Sequence, residues 1–328
     1  MDPHNFHEPQ IVQEPHILHE LQHASTMPTW TIVGRGAIGL LCAANAAQQG
    51  YPRVQLALRT PAASPQGFAF TWCLGQQESP IIVSQLHDTT LIDYLLVPVK
   101  AFDALSAVQQ WLPRLSPSAQ IVLCHNGLGT IEQILPLLGK DQGLWFASTT
   151  HGAYKSSATR VVHSGQGSTY LGALNTSATH AAKTPTSDIL PAIDAMLGPC
   201  QLVDDIMPFL WQKLAINLVI NPLTALHRVK NGELAAPQFQ QTINALIAEF
   251  CQIAAACGYA MSPISLGDKV RTVIANTAQN NSSMLQDVRH QRPTELPFIT
   301  GFLLEKAAQQ QVPCPQIVAL TKALEATL

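Results

Sequence analysis

Short apolar runs rich in β-branched residues alternate with helical patterns through the first half of the chain. The runs cover residues 29–33, 54–58, 81–83, 94–99, 120–124 and 144–149, with helical stretches after residue 33 and near residues 102–112 and 130–138. This alternation predicts βαβ units and a mainly parallel sheet. Two later β-rich pieces, residues 160–163 and 169–171, are expected to extend the sheet in the antiparallel direction.

The pattern changes at about residue 204, where strand signals fade and long Ala, Leu and Ile patterns begin. It predicts a helical domain that continues to residue 328. Within it, residues 231–234 and 280–287 are typical of turns, and residues 293–296 indicate a helix start capped by the acid Glu295. We therefore expect an extension at residues 1–27, an α/β domain at residues 28–203 and an all-α domain at residues 204–328.

A glycine-rich turn follows the first predicted strand and opens the first predicted helix. Gly34, Gly36 and Gly39 form the spacing G-x-G-x-x-G between an apolar strand and a helix rich in Ala and Leu. This context is typical of a Rossmann-type doubly wound sheet that binds a dinucleotide, with its pyrophosphate at the helix N-terminus.

Polar residues at the ends of predicted strands are candidates for ligand contacts. Arg59 follows the second strand, where a NAD-binding fold commonly has an acid, and a positive charge there suits the 2′-phosphate of NADP. A solvent-exposed loop charge is the alternative for this residue. Lys100 and Asn126 also follow strands, and ligands in such folds bind beyond the carboxyl ends of strands.

One apolar segment of the helical domain contains three polar residues at helical spacing. Lys213, Asn217 and Asn221 are four residues apart and share one face of a predicted helix, which Pro222 is expected to kink. Polar groups on a mostly buried helix must find partners or line a cavity. A desolvated lysine has a lowered pKa and can act as a general acid. The alternative is that Lys213 extends its ammonium to solvent and that the two Asn side chains hydrogen-bond within their own helix.

Composition narrows the class of protein further. Hydrophobic residues make up 47% of the 328 residues and charged residues 12%, which excludes a disordered chain. No apolar run is long enough for a membrane span, and a net charge of −3 argues against nucleic-acid binding. The seven cysteines have irregular spacing and no C-x-x-C pair, so neither disulfides nor a metal site is expected. These features favour a reduced, cytoplasmic enzyme.

The first 25 residues differ from the rest in their charges. They contain five histidines and four acids but no Lys or Arg, and the remaining chain has 17 acidic against 18 basic residues. The segment has no signal-peptide pattern. We expect a mobile His-rich extension, or a true start at Met27, rather than a metal-binding tract.

The motifs, taken as an ordered set, resemble the ketopantoate reductase (2-dehydropantoate 2-reductase) family over about residues 29–310. The similarity includes Lys100 and the segments GRGAIG at 34–39, HNGLGTIE at 125–132, TTHGA at 149–153, WQKLAINLVINPLTAL at 211–226, NGEL at 231–234, NSSMLQDV at 281–288 and TELPFITGF at 294–302. The resemblance implies a Rossmann-type NADP-binding domain and an all-α domain like the C-terminal domain of 6-phosphogluconate dehydrogenase.

The resemblance also implies roles for individual residues. Lys213 would be the catalytic acid and Glu295 would orient the substrate hydroxyl and tune Lys213. The substrate would be bound by Asn126, Asn217, Asn221 and Ser283, and the cofactor NADPH by Gly34, Arg35, Gly36, Ala37, Ile38, Gly39, Arg59, Lys100, Asn126 and Glu295.

The activity implied by the resemblance is NADPH-dependent reduction of 2-dehydropantoate to (R)-pantoate in pantothenate and coenzyme A biosynthesis. Alternatives are reduction of a different 2-keto acid and a non-catalytic NADP sensor. The expected partner is a small 2-keto acid, with no nucleic acid or membrane, and the chain is expected to be a monomer or homodimer.

Overall fold

The computed structural model describes residues 27–60, 64, 66–86, 90–183 and 188–328. The extension expected at residues 1–27 therefore lies outside the described residues, apart from Met27. Among the described residues, no helix is both long enough and apolar enough to cross a membrane.

The described residues form an α/β part followed by a helical part. The strands are β1 Thr29–Val33, β2 Arg53–Ala57, β3 Phe68–Leu74, β4 Gln77–Gln85, β5 Ile92–Val97, β6 Leu115–Leu123, β7 Gly143–Thr149, β8 Gly152–Ser157, β9 Arg160–Gly165, β10 Thr169–Ala173 and β11 Cys200–Val203. The α-helices are α1 Ala37–Gln49, α2 Ala101–Trp111, α3 Ile131–Ile134, α4 Thr176–Ala182, α5 Ile189–Leu197, α6 Met207–His227, α7 Pro237–Ala256, α8 Pro263–Asn276, α9 Ser283–Arg289, α10 Phe302–Gln310 and α11 Pro315–Glu325. We call β1 to β11 with their helices the sheet half, and α6 to α11 the helical half.

The strands join into one sheet in the order β11-β10-β7-β6-β5-β1-β2-β4-β3-β9-β8. β1 lies between β2 and β5, parallel to both, and β5, β6 and β7 continue the parallel series. The prediction of a mainly parallel, doubly wound sheet is therefore confirmed. In such a sheet the carboxyl ends of the central strands meet at one edge. The loop that follows β6 at this edge contacts the helical half through Asn126 and Leu128.

Several local predictions need correction. β10 is antiparallel to β7 as predicted, but β9 runs parallel to β3 and antiparallel only to β8. The strand predicted at residues 94–99 ends at Val97 because Pro98 has no N–H for the ladder. The helix predicted near residues 130–138 is one short α-helix followed by a 3₁₀ turn that contains Pro136.

The helical half is organised around α6, a helix of 21 residues with apolar residues on most of its surface. Trp211 on this helix is 2% exposed and stacks on Tyr259, with Phe250 and Phe302 within 6 Å of its ring. Pro222 lies inside α6, and the helix continues through it to His227. The expected turn at residues 280–287 is shorter than predicted, since α9 begins at Ser283 after a cap by Ser282.

The loop after β6 meets the helical half by direct backbone contact. Leu128 donates its N–H to the carbonyl oxygen of Phe298 at 2.9 Å. The preceding Gly127 has φ +78°, and a Cβ there would overlap the same carbonyl group. Glycine at position 127 therefore meets two needs, a left-handed backbone and close approach to Phe298.

Replacing Gly127 by Ala should destabilise the protein more than the same change at Gly75. Both glycines have positive φ, but nothing lies within 4 Å of a Cβ built at Gly75. In each variant, placing a residue with a Cβ at positive φ costs about 1–2 kcal/mol of unfolding free energy. In Gly127→Ala alone, the overlap of the new Cβ with Phe298 costs about 1–3 kcal/mol more. Urea unfolding of the two variants checks this, and equal losses of unfolding free energy would contradict it.

Candidate active site

The glycine-rich turn between β1 and α1 has the geometry of an anion site. Gly34 adopts φ +77°, and Gly36 precedes the helix in an extended conformation with no side-chain cap and no acid in the first turn. The first N–H groups of a helix have no intrahelical partner and favour negative charge. A Cβ at Gly39 would lie 3.2 Å from both Ile32 Cγ2 and Pro98 Cγ, so glycine allows close packing there. The turn fits the phosphates of a dinucleotide.

The other residues of the turn, and Arg59 after β2, are further candidates for contacts with the nucleotide. Ala37 and Ile38 open α1, and the guanidinium of Arg35 lies over the Phe68 ring at 5.5 Å. Arg59 is exposed and lies 3.4 Å from Asp103, in the first turn of α2. An exposed ion pair of this kind is weak. Arg59 is thus free to turn toward an anionic ligand.

Glu295 caps a helix, but not the one predicted. Its carboxylate, 3% exposed, accepts hydrogen bonds from the N–H of Ala101 at 3.1 Å and from Asn126 Nδ2 at 3.1 Å. Ala101 is the first residue of α2, in the sheet half, so the acid of the helical half caps a helix of the other half. The negative charge at a helix N-terminus is favourable. This corrects the expectation that Glu295 caps its own segment, which forms a π-helical turn at Pro297–Gly301.

Lys100 lies between two buried carboxylates. Its Nζ is 2.6 Å from Asp287 Oδ2 and 3.5 Å from Glu295 Oε2. Asp287, on α9, also pairs with Arg292 at 3.2 Å. The sequence placed Lys100 at a ligand-binding edge, and the structure places its ammonium near Glu295, which also binds Asn126. The cofactor contact of Lys100 stays a prediction.

Lys213 points from α6 toward the end of β7. Its Nζ donates a hydrogen bond to the carbonyl oxygen of Thr149 at 2.8 Å. Burial lowers the pKa of Lys213, while negative charge on Cys124 and Glu295 would act in the opposite direction. Burial also raises the pKa of the Cys124 thiol to about 11, which keeps that thiol neutral. A lysine with a lowered pKa beside a carboxylate is suited to proton transfer.

The polar face of α6 continues beyond Lys213. Asn217 Nδ2 is buried and has no hydrogen-bond partner among the described residues, and Asn221 is 7% exposed. An unpaired buried amide costs free energy, which a bound polar group would recover. Ser283 is exposed at the first position of α9, and Ser282 beside it is buried against Thr224 Oγ1 at 2.7 Å.

The structure brings four of the predicted residues, Lys100, Asn126, Lys213 and Glu295, to one junction between the halves. Arg59 and Ser283 lie exposed, and neither makes a described contact with the Lys100, Asn126 and Glu295 cluster. Sequence reasoning assigned no role to Asp287 or Thr149. Asp287 lies in the motif NSSMLQDV and Thr149 in the motif TTHGA. Membership in these motifs is the sequence feature that could have marked the two residues as candidates.

Comparison with known proteins places both halves in the same family. The family model described as ketopantoate reductase PanE/ApbA matches residues 30–176, and the model of its C-terminal domain matches residues 205–327. The 2-dehydropantoate 2-reductase of Vibrio cholerae is 38% identical over 291 residues, which cover 88% of this chain and 94% of that protein.

Solved structures show the same fold. A structure described as a probable 2-dehydropantoate 2-reductase from Bacillus subtilis is 28% identical, with a TM-score of 0.74, over 92% of this chain and 100% of the other. D-mandelate dehydrogenase, solved with NADH and anilino(oxo)acetate, is 19% identical with a TM-score of 0.80 over 91% of this chain and 98% of the other, and at that identity it shows the fold alone. By the two family models and the Vibrio cholerae relative, the chain belongs to the ketopantoate reductase PanE/ApbA family.

Proposed function

We propose that this protein reduces 2-dehydropantoate to (R)-pantoate with NADPH, a step of pantothenate and coenzyme A biosynthesis. The observation that carries the proposal is the junction where Glu295 binds the α2 N-terminus and Asn126, beside the desolvated Lys213. The 38% identical Vibrio cholerae relative, named 2-dehydropantoate 2-reductase, supports the choice of substrate.

In this proposal the nucleotide binds to residues 28–203 and the catalytic groups come mainly from residues 204–328. The uncapped start of α1 receives the pyrophosphate, and Arg59 turns from its weak pair with Asp103 to the 2′-phosphate. Lys100 contributes positive charge at the same edge of the sheet. The bound NADPH supplies the hydride.

Lys213 acts as the general acid. Reduction of the C2 carbonyl builds negative charge on its oxygen, and a protonated ammonium beside that oxygen stabilises the charge and donates the proton. The lowered pKa of Lys213 makes this proton easier to donate near neutrality. The carbonyl of Thr149, 2.8 Å from Nζ, holds the ammonium in place.

The remaining polar groups bind and orient the substrate. Asn217 offers an amide that lacks a partner among the described residues, which supports its assignment to a polar group of the keto acid. Glu295 orients the substrate hydroxyl and tunes Lys213, while Ser283 receives the carboxylate. Asn126 and Asn221 complete the proposed substrate-binding set.

We further propose that the protein works in the cytoplasm as a monomer or homodimer, with a small 2-keto acid as its partner. A family reductase with a different 2-keto acid as substrate, or an NADP sensor without turnover, would share the same nucleotide-binding turn. A proton donor such as Lys213 has no use in a pure sensor, which favours the catalytic alternative.

The substrate assignment is tested by NADPH oxidation with 2-dehydropantoate and a panel of other 2-keto acids. We expect the highest kcat/KM with 2-dehydropantoate, because three amide side chains and Ser283 are available for its hydroxyl and carboxylate. A higher kcat/KM with another acid would reassign the substrate. Binding of NADPH without turnover of any acid would favour the sensor.

Replacing Lys213 by Ala should lower kcat for reduction by about 10²–10⁴-fold, the usual contribution of a general acid. NADPH binding, measured by fluorescence titration, should change little. In the unmodified protein, kcat for reduction should fall as the pH rises through the lowered pKa of Lys213, because only the protonated lysine donates.

A matched control for this change is Lys269→Ala. Lys269 is an exposed lysine that donates to Gln212, next to Lys213 in the chain, and its loss should leave kcat and the pH profile unchanged. Equal losses of kcat and NADPH affinity in Lys213→Ala would show that Lys213 is not the acid.

Replacing Arg59 by Ala should raise the KM for NADPH while leaving that for NADH almost unchanged. The reason is that NADH lacks the 2′-phosphate that the guanidinium would contact. Steady-state kinetics with the two cofactors measures the ratio. Arg53→Ala, at the opposite end of β2, is the control and should leave the ratio unaltered. If Arg59→Ala leaves the ratio of the KM for NADPH to the KM for NADH unchanged, Arg59 does not bind the 2′-phosphate.

A further inference from the structure

We propose that Asp287 is the positioning residue for Lys100, holding its ammonium group where the bound cofactor meets it. This inference rests on the proposed function, which has Lys100 contact the cofactor. It adds a residue of the helical half to the nucleotide site of the sheet half.

The shortest ion pair of Lys100 is with Asp287 and not with Glu295. Lys100 Nζ lies 2.6 Å from Asp287 Oδ2, a strong charge-assisted hydrogen bond, whereas its distance to Glu295 Oε2 is 3.5 Å. The Asp287 side chain is 5% exposed. A buried carboxylate needs compensating charge, and Lys100 supplies part of it at hydrogen-bond distance.

Asp287 is itself held in place. Its Oδ1 pairs with Arg292 Nη2 at 3.2 Å, and its backbone carbonyl accepts N–H groups from His290 at 3.2 Å and Arg292 at 2.9 Å. The two carboxylate oxygens therefore point in fixed directions, one toward Arg292 and the other toward Lys100. A carboxylate fixed in this way can define the position of the long, flexible lysine side chain.

Glu295 cannot replace Asp287 in this role without loss. Its carboxylate already accepts hydrogen bonds from Ala101 N and Asn126 Nδ2. If Lys100 lost Asp287, its ammonium would move toward Glu295 and compete with these two bonds. By binding Lys100, Asp287 thus leaves the Glu295 carboxylate to Ala101 N and Asn126 Nδ2.

The arrangement also leaves room for a ligand. An ammonium group has three N–H donors, and the two carboxylates lie near two of them. The side chain of Lys100 remains 35% exposed, so a ligand can approach it from solvent. Asp287 belongs to α9 and Lys100 precedes α2, so Asp287 holds Lys100 in this position only when the two halves are packed together.

The test is a double-mutant cycle on NADPH affinity, with fluorescence titration of the full chain. Asp287→Asn keeps the size of the side chain and removes its charge, and we expect it to raise the dissociation constant of NADPH about tenfold. Lys100→Ala should raise it at least as much. The double variant should bind NADPH no more weakly than Lys100→Ala, because Asp287 acts through Lys100.

Glu132→Gln is the matched control. Glu132 on α3 pairs with Lys306 on α10 at 3.7 Å, so it also joins the two halves, but its carboxylate is exposed and makes no described contact with Lys100, Asp287 or Glu295. We expect its NADPH dissociation constant to stay within about twofold of the unmodified protein.

Two results would overturn the inference. One is an Asp287→Asn protein whose NADPH affinity is unchanged while Lys100→Ala binds weakly; this would leave the proposed role of Lys100 intact. The other is a double variant whose loss of NADPH binding free energy equals the sum of the losses in the two single variants. If Lys100→Ala itself leaves the affinity unchanged, the cofactor role of Lys100 fails together with the inference. Should Asp287→Asn fail to fold, Asp287→Glu decides in its place, because it keeps the charge but moves the carboxylate by one methylene; an NADPH dissociation constant equal to that of the unmodified protein would contradict the inference.

Discussion

The buried carboxylate of Glu295 is the constraint on which the arrangement of the two halves depends. A carboxyl group that is 3% exposed must be satisfied by hydrogen bonds or nearby charge, or folding loses several kcal/mol. The described donors to Glu295, the Ala101 N–H and the Asn126 amide, both belong to the sheet half. The helical half therefore packs where this carboxylate meets those donors, and the same packing brings Lys213 to the Thr149 carbonyl of the sheet half.

Backbone contact and apolar packing reinforce the same arrangement. The Leu128 N–H donates to the Phe298 carbonyl, three residues after Glu295, and Gly127 has no side chain that would block the approach. One apolar core extends across both halves, with Leu95 and Phe146 of the sheet in the same cluster as Trp211 and Phe302. The hydrophobic effect supplies a non-directional attraction between the two halves, and the polar contacts determine their relative position.

Charge is scarce in this protein, and much of the buried charge lies at the junction. Charged residues make up 12% of the chain, yet Asp287, Glu295, Lys100 and Lys213 converge there. In an environment of low dielectric, each of these groups affects its neighbours strongly. The lowered pKa of Lys213 and the fixed position of Lys100 are two consequences of the same burial.

The sequence alone determined the parallel sheet, the glycine-rich turn and the shared face of Lys213, Asn217 and Asn221, because these follow from local spacing. It did not determine that Glu295 caps α2, that Asp287 pairs with Lys100 or that β9 runs parallel to β3. Ala101 and Glu295 are 194 residues apart, and no periodicity in the chain encodes such a contact. Those partners were decided only by the tertiary structure, since a buried charge takes whichever donors the packing of the two halves brings within reach.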